Sequence, residues 1–137
     1  MNLGFRSGIR HPLYPDLAAT PAVQSKGRCS ALAGTFAELA HAAAAARPRR
    51  AVFVLVYAGQ PFLSDSQRDE LWHWFQVPVF ALLLDPSGRL LGYECQAQRG
   101  LHLSGPASDA DAHSGIPGTM DSTPCPCGRP GDRLRPA

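Results

Sequence analysis

No apolar run in this chain is long enough to cross a membrane, and residues 1–19, although they carry Arg6 and Arg10, hold no apolar core of the kind a signal peptide needs. The sequence therefore predicts a cytoplasmic protein. Strong charge of one sign is missing too. A formal net charge of +2, with basic residues spread along the chain, argues against nucleic acid or membrane as a partner. The one basic run, Arg47-Pro48-Arg49-Arg50, is read as the end of a preceding helix complementing its dipole rather than as a phosphate-binding patch. There is no internal repeat at solenoid or propeller spacing.

What the chain has in abundance is glycine and proline, 13 of each in 137 residues, which demands long irregular stretches between a few regular elements. Its length fits one domain with a modest core. Residues 1–28, with Pro12, Pro15 and Pro21 and no sustained period, read as an irregular arm. Residues 29–103 read as an α/β core. Residues 104–137, rich in Gly and Pro and poor in large apolar side chains, read as a tail that hydrophobic burial alone cannot order.

Within the core, Ser30 to Arg47 are mostly helix formers, and Leu32, Phe36, Leu39 and Ala43 are spaced for one apolar face, so a helix is predicted over about 30–47, stopped by Pro48. Ala51 to Tyr57 is a continuous β-branched and aromatic run ending at Ala58-Gly59, the pattern of a strand covered on both faces. Ser64 or Asp65 caps a second helix, with Leu71, Trp72 and Phe75 inward and Pro78 beyond its end; Trp72, His73, Trp74 and Phe75 are read as a face packing on the sheet. Val79 to Leu84 supplies the next strand. Residues 51–84 thus form a βαβ unit with parallel strands, expected to be right-handed. The type I turn Asp85-Pro86-Ser87-Gly88 then leads to an antiparallel hairpin strand, about 89–95, that delivers Cys95 to the sheet margin.

Cysteine is scarce, and three of the four residues fall in two short clusters: Cys95, with His102 seven positions on, and the Cys125-Pro126-Cys127-Gly128-Arg129 segment. In a reducing compartment clustered cysteines serve more often as metal ligands or redox groups than as disulfides. Three thiols and one imidazole without a carboxylate suit zinc, and four filled positions leave no place for a catalytic water, so the predicted site is structural: Cys95, His102, Cys125 and Cys127 holding Zn2+. Gly100 supplies the permissive backbone for the loop between the first two ligands. Arg99 and Arg129 are the candidates to offset the net negative charge of three thiolates. Spacing alone leaves other readings open. Cys95 can be an ordinary buried thiol with Cys125 and Cys127 idle in the tail. A redox pair is disfavoured because catalytic dithiols have two intervening residues and a helix N-terminus. A Cys95–His102 nucleophilic dyad lacks an oxyanion-stabilising constellation. His11, His41, His73 and His113 are assigned to surfaces or loops. Cys29 stands apart, with no role.

Pro61-Phe62-Leu63-Ser64 to Arg68, Trp72 to Pro78, Glu94-Cys95 to Gly100-Leu101-His102, and Cys125-Pro126-Cys127-Gly128-Arg129 with Arg133 resemble, in order, segments of the phenylacetate-CoA ligase family of adenylate-forming enzymes. The resemblance covers roughly residues 51–103 and 123–134. It implies a structural zinc, held in some members of that family at positions matching Cys95, His102, Cys125 and Cys127. The family's Ser/Thr/Gly-rich phosphate loop, its Tyr-Gly-x-Thr-Glu segment, its Arg-Tyr-Arg-Thr-Gly-Asp segment and its lysine-bearing C-terminal domain are all missing, so no catalytic or ATP-binding residue is carried over. The expected function is a non-catalytic zinc-binding α/β protein with a binding or scaffolding role, related to a fragment of an aryl-CoA ligase. The alternatives are an accessory subunit completing an adenylate-forming enzyme with a partner chain, and a non-functional gene remnant. A larger adenylate-forming protein or a second copy is the expected partner.

Overall fold

The computed structural model describes residues 11–98, 100–103 and 118–136. They form a single mixed sheet of eight strands with two helices: β1 (Ala19–Pro21), β2 (Gly27–Gly34), α1 (Phe36–Ala42), β3 (Ala46–Tyr57), α2 (Asp65–Phe75), β4 (Val79–Leu84), β5 (Leu90–Tyr93), β6 (Leu101–Leu103), β7 (Gly118–Asp121) and β8 (Arg133–Pro136). The spatial order is β1-β2-β3-β4-β5-β6-β8-β7. Strands β1 to β4 are mutually parallel, and every pairing from β4 onward is antiparallel. The α/β class, the parallel βαβ unit of β3, α2 and β4, and the hairpin to β5 are as the sequence predicts. No helix among the described residues is long and apolar enough to cross a membrane.

The first helix is shorter than its pattern implies. Ser30 to Gly34 belong to strand β2, and the helix begins only at Phe36, where Thr35 accepts a hydrogen bond from the Glu38 N–H while Glu38 accepts one from the Thr35 N–H. That capping box fixes the start of the helix. Leu32 fits the helical spacing because β2 and α1 feed the same core, in which both Leu32 and Leu39 are buried. The helix has ended by Ala43, and Arg47 to Arg50 run inside β3 rather than at a helix end. Pro48 is tolerated there because its only sheet neighbour is Cys29 of β2; β4 does not join until Val52.

Side chains of Leu32, Leu39, Val52, Val54, Leu71, Phe75 and Leu83 make the core between the sheet and the helices. The opposite sheet face, carrying Ala31, Phe53, Leu55, Phe80, Leu82 and Leu84, is covered by the segment around Tyr14 and Leu17. Part of the predicted irregular arm is therefore a packing layer, and Ala19–Pro21 adds a strand. The tail likewise contributes β7 and β8, while residues 1–10 and 104–117 lie outside the described residues. Cys95 consequently sits not at a sheet margin but at a mid-sheet loop, with β6, β8 and β7 beyond it. On α2, Ser64 is the cap, in a capping box with Gln67. Leu71 and Phe75 point inward, but Trp72 is 57% exposed, which corrects the inward reading. At one turn past Arg68, its position falls between the core stripe and solvent.

Candidate metal centre

Three loop or strand segments meet at the antiparallel end of the sheet. The chain leaves β5 at Tyr93, and Cys95 opens a tight turn in which Gln98 N–H donates to the Cys95 carbonyl at 3.0 Å and Ala97 N–H donates to the Cys95 Sγ at 3.4 Å. Gly100 then takes φ 91°, and a Cβ there would stand 3.1 Å from the Leu134 carbonyl. That close approach lets β6 pair with both β5 and β8. Position 102 faces Tyr93 across the β5–β6 ladder, and the two rings stack at 5.4 Å. The second cysteine segment makes a similar turn: Gly128, at φ 86°, donates its N–H to the Cys125 carbonyl at 2.9 Å.

The result is that Cys95, His102, Cys125 and Cys127 present their ligand atoms within 4.8 Å of one another, the first three buried and Cys127 half-buried. Cys95 Sγ lies 3.6 Å from Cys125 Sγ, and Cys127 Sγ lies 3.5 Å from His102 Nε2. All four cysteines of the chain are free thiols. All four predicted ligands are thus brought together, and their arrangement is compatible with a metal site. Cys29 is remote from it, receiving only a 3.8 Å contact from Ser25 Oγ.

The protonation of the cluster is frustrated without a cation. Burial pushes the Cys95 thiol up to about 11. Burial acts upward on Cys127 as well, yet hydrogen bonds from Arg129 and the neighbouring thiols bring it down to about 7. Burial, then the Arg133 and Arg129 charges, lower His102 and keep its imidazole neutral, the form that ligates. The neighbouring thiols thus act in opposite directions on Cys95 and Cys127, and ligation to a divalent ion would favour the thiolate form of both. Arg129 takes the predicted charge-offsetting place; Arg99 lies outside the described residues.

Two buried groups that the sequence did not single out hold the first turn in place. Glu94, 2% exposed, receives paired bonds from Arg68 on α2 at 3.0 and 2.6 Å and the Ala81 N–H at 2.7 Å. His11 lies in a loop, one of the two placements expected of it, but is fully buried rather than at the surface, and its Nε2 bonds the Glu94 carbonyl while Nδ1 accepts the Leu13 N–H at 3.1 Å. It sits among Tyr14, Phe53, Phe80 and Tyr93. Pro12 and the absence of a period hid this, since a lone imidazole in an irregular segment gives no burial signal. His41 and His73 are exposed, as their surface assignment expects, which removes His73 from the face predicted to pack on the sheet; His113 lies outside the described residues. Arg133, 1% exposed, reaches the Thr123 carbonyl at 3.0 Å and Asp121 at 3.5 Å, tying the cysteine loop to β7.

Burial pushes His11 down to about 4 from 6.5. The unfolded chain therefore binds the extra proton between these values, and the associated stability, at most about 3 kcal/mol, is complete above pH 6.5 and is lost as pH falls toward 4. His11→Phe, which keeps the ring but cannot ionise, should show a smaller loss between pH 7.5 and 5 in urea denaturation than the unsubstituted protein. Equal losses would refute the assignment.

No family model matches the chain, and no curated protein matches it.

Proposed function

We propose that this is a non-catalytic zinc protein in which Cys95, His102, Cys125 and Cys127 hold one structural ion, with a binding or scaffolding role. The observation that carries the reading is geometric. With Zn–S near 2.3 Å and Zn–N near 2.0–2.1 Å, a tetrahedral ion sets sulfur–sulfur edges of about 3.8 Å and sulfur–nitrogen edges of about 3.6 Å. The Cys95–Cys125 and Cys127–His102 edges, 3.6 and 3.5 Å, already match these values, and the remaining pairs, all within 4.8 Å, close by up to about 1 Å on an ion. The soft donor set favours zinc over calcium or magnesium, and four protein ligands leave no open position for substrate or water. An ion there joins the turn after β5, strand β6 and the loop before β8, so its role is to close the antiparallel half of the sheet. The resemblance of the ligand-bearing segments to phenylacetate-CoA ligases supports descent from part of such an enzyme, with the ion kept and the ATP chemistry lost.

Elemental mass spectrometry on protein purified without added metal is the test, with about one zinc per chain expected and a Cys125→Ser, Cys127→Ser variant expected to hold none. A metal-free, fully folded protein that takes up no zinc would refute the reading.

A further inference from the structure

The basic residues that look scattered in sequence are gathered by the fold. Strand β3 begins at Ala46, but β4 joins it only at Val52, so its first part pairs with β2 alone as a two-stranded ribbon. Arg28 lies directly across from Arg47 in that ribbon. Along β3, Ala46 and Pro48 are buried while Arg47, Arg49 and Arg50 are exposed; Lys26 and Arg28 of the neighbouring segment are exposed too. A register shift between Cys29 and Ala31 accommodates the consecutive exposed pair Arg49 and Arg50. Five cations thus share one end of the sheet.

Among the described residues no acid pairs with them. The only acidic residue between Asp16 and Asp65 is Glu38, and it caps α1 beyond the other end of β2. None of the five forms an ion pair among the described residues; of their side chains only that of Arg47 has polar contacts there, donating to the Ala43 carbonyl at the end of α1 and to the Ala46 carbonyl at the start of β3. The dipole role foreseen for the run therefore belongs to Arg47 only. The remaining 8 basic and 11 acidic residues leave the rest of the chain at −3, so the charge is polarised rather than merely positive. Like charges placed directly opposite on neighbouring strands are destabilising, which makes Arg28 facing Arg47 a cost to the isolated fold.

We infer that this ribbon is a nucleic-acid-binding surface that grips the phosphate backbone. Four of the five cations are arginines, whose planar forks match phosphate oxygens. Strand geometry spaces Arg47 and Arg49 about 7 Å apart, with Arg28 about 5 Å across, a rigid row rather than a floppy tail. The five include no aromatic side chain to stack on bases, so recognition is of backbone and not of sequence.

The test is fluorescence anisotropy with labelled duplex DNA and single-stranded RNA of about 20 units, beside sedimentation with phosphatidylserine vesicles. Binding at about 50 mM salt should weaken with a log–log salt slope near −4 on duplex if all five cations engage, and somewhat less on the single strand. Arg28→Gln, Arg49→Gln, Arg50→Gln together should lower affinity at least about tenfold and reduce the slope by about 2–3, with a melting temperature no lower than that of the unsubstituted protein confirming the fold. No salt-dependent binding, indifference to the triple substitution, or tighter binding to vesicles than to nucleic acid would each overturn the inference.

Discussion

Chelating the proposed zinc ion should lower the melting temperature by roughly 10–20 °C. An ion held at a thousandfold excess over its dissociation constant stabilises the native state by about 4 kcal/mol, and domains of this size shift by several degrees per kcal/mol. The effect should be local before it is global. Helices α1 and α2 and strands β2 to β4 supply most of one apolar core, to which β6 and β8 add the buried Leu101 and Leu134, whereas among the described residues β7 has only β8 as a neighbour and is largely exposed. Buried side chains in the region are few: Leu101, Leu134, Arg133 and the ligands themselves. Hydrogen exchange should therefore show amides of β6, β7 and β8 losing protection on chelation while β3 and β4 keep theirs. Cys125→Ser should reproduce the loss without a chelator and make it insensitive to added zinc. A melting curve that ignores both chelation and Cys125→Ser would remove the ion from the account of the fold.

Arg68→Met should cost about 3 kcal/mol in urea denaturation at neutral pH. Removing one partner of a buried pair strands the other charge without compensation. Glu94 is that charge: its side chain is 3% exposed against 23% for Arg68, and only the Ala81 N–H would remain to it. The partial exposure of Arg68 keeps the estimate toward the low end of what buried pairs show. Replacing both groups, Arg68→Met with Glu94→Gln, should recover much of the loss, because the neutral amide still accepts the Ala81 N–H. Glu94 immediately precedes Cys95, so the single variant should also weaken zinc binding, as loss of a group that orients a ligand commonly does by about tenfold or more. Additive single and double variants would show that the pair is not coupled.

Much of the core was legible from local pattern. The runs Ala51–Tyr57 and Val79–Leu84, the Ser64 cap and the Asp85 turn each carry their signal within a few residues, and local signals survive folding. The four candidate ligands were legible for another reason: thiol and imidazole chemistry marks them wherever they lie. Residue type and short-range spacing thus set the α/β class, the βαβ unit, the hairpin and the candidate metal ligands. Long-range pairing decided the rest. Ser30 to Gly34 became a strand because β1 and β3 flank it, against a helical spacing that Leu32 and Leu39 satisfy from two different elements. His11 was buried because an irregular arm lies across the second face of the sheet, 83 residues away in sequence from the Glu94 carbonyl that fixes it. Arg28 and Arg47 became neighbours through the parallel register of β2 and β3. A parallel crossover or a loop closure joins residues that no sequence window contains, and it is there that charge, burial and ligand geometry are assembled.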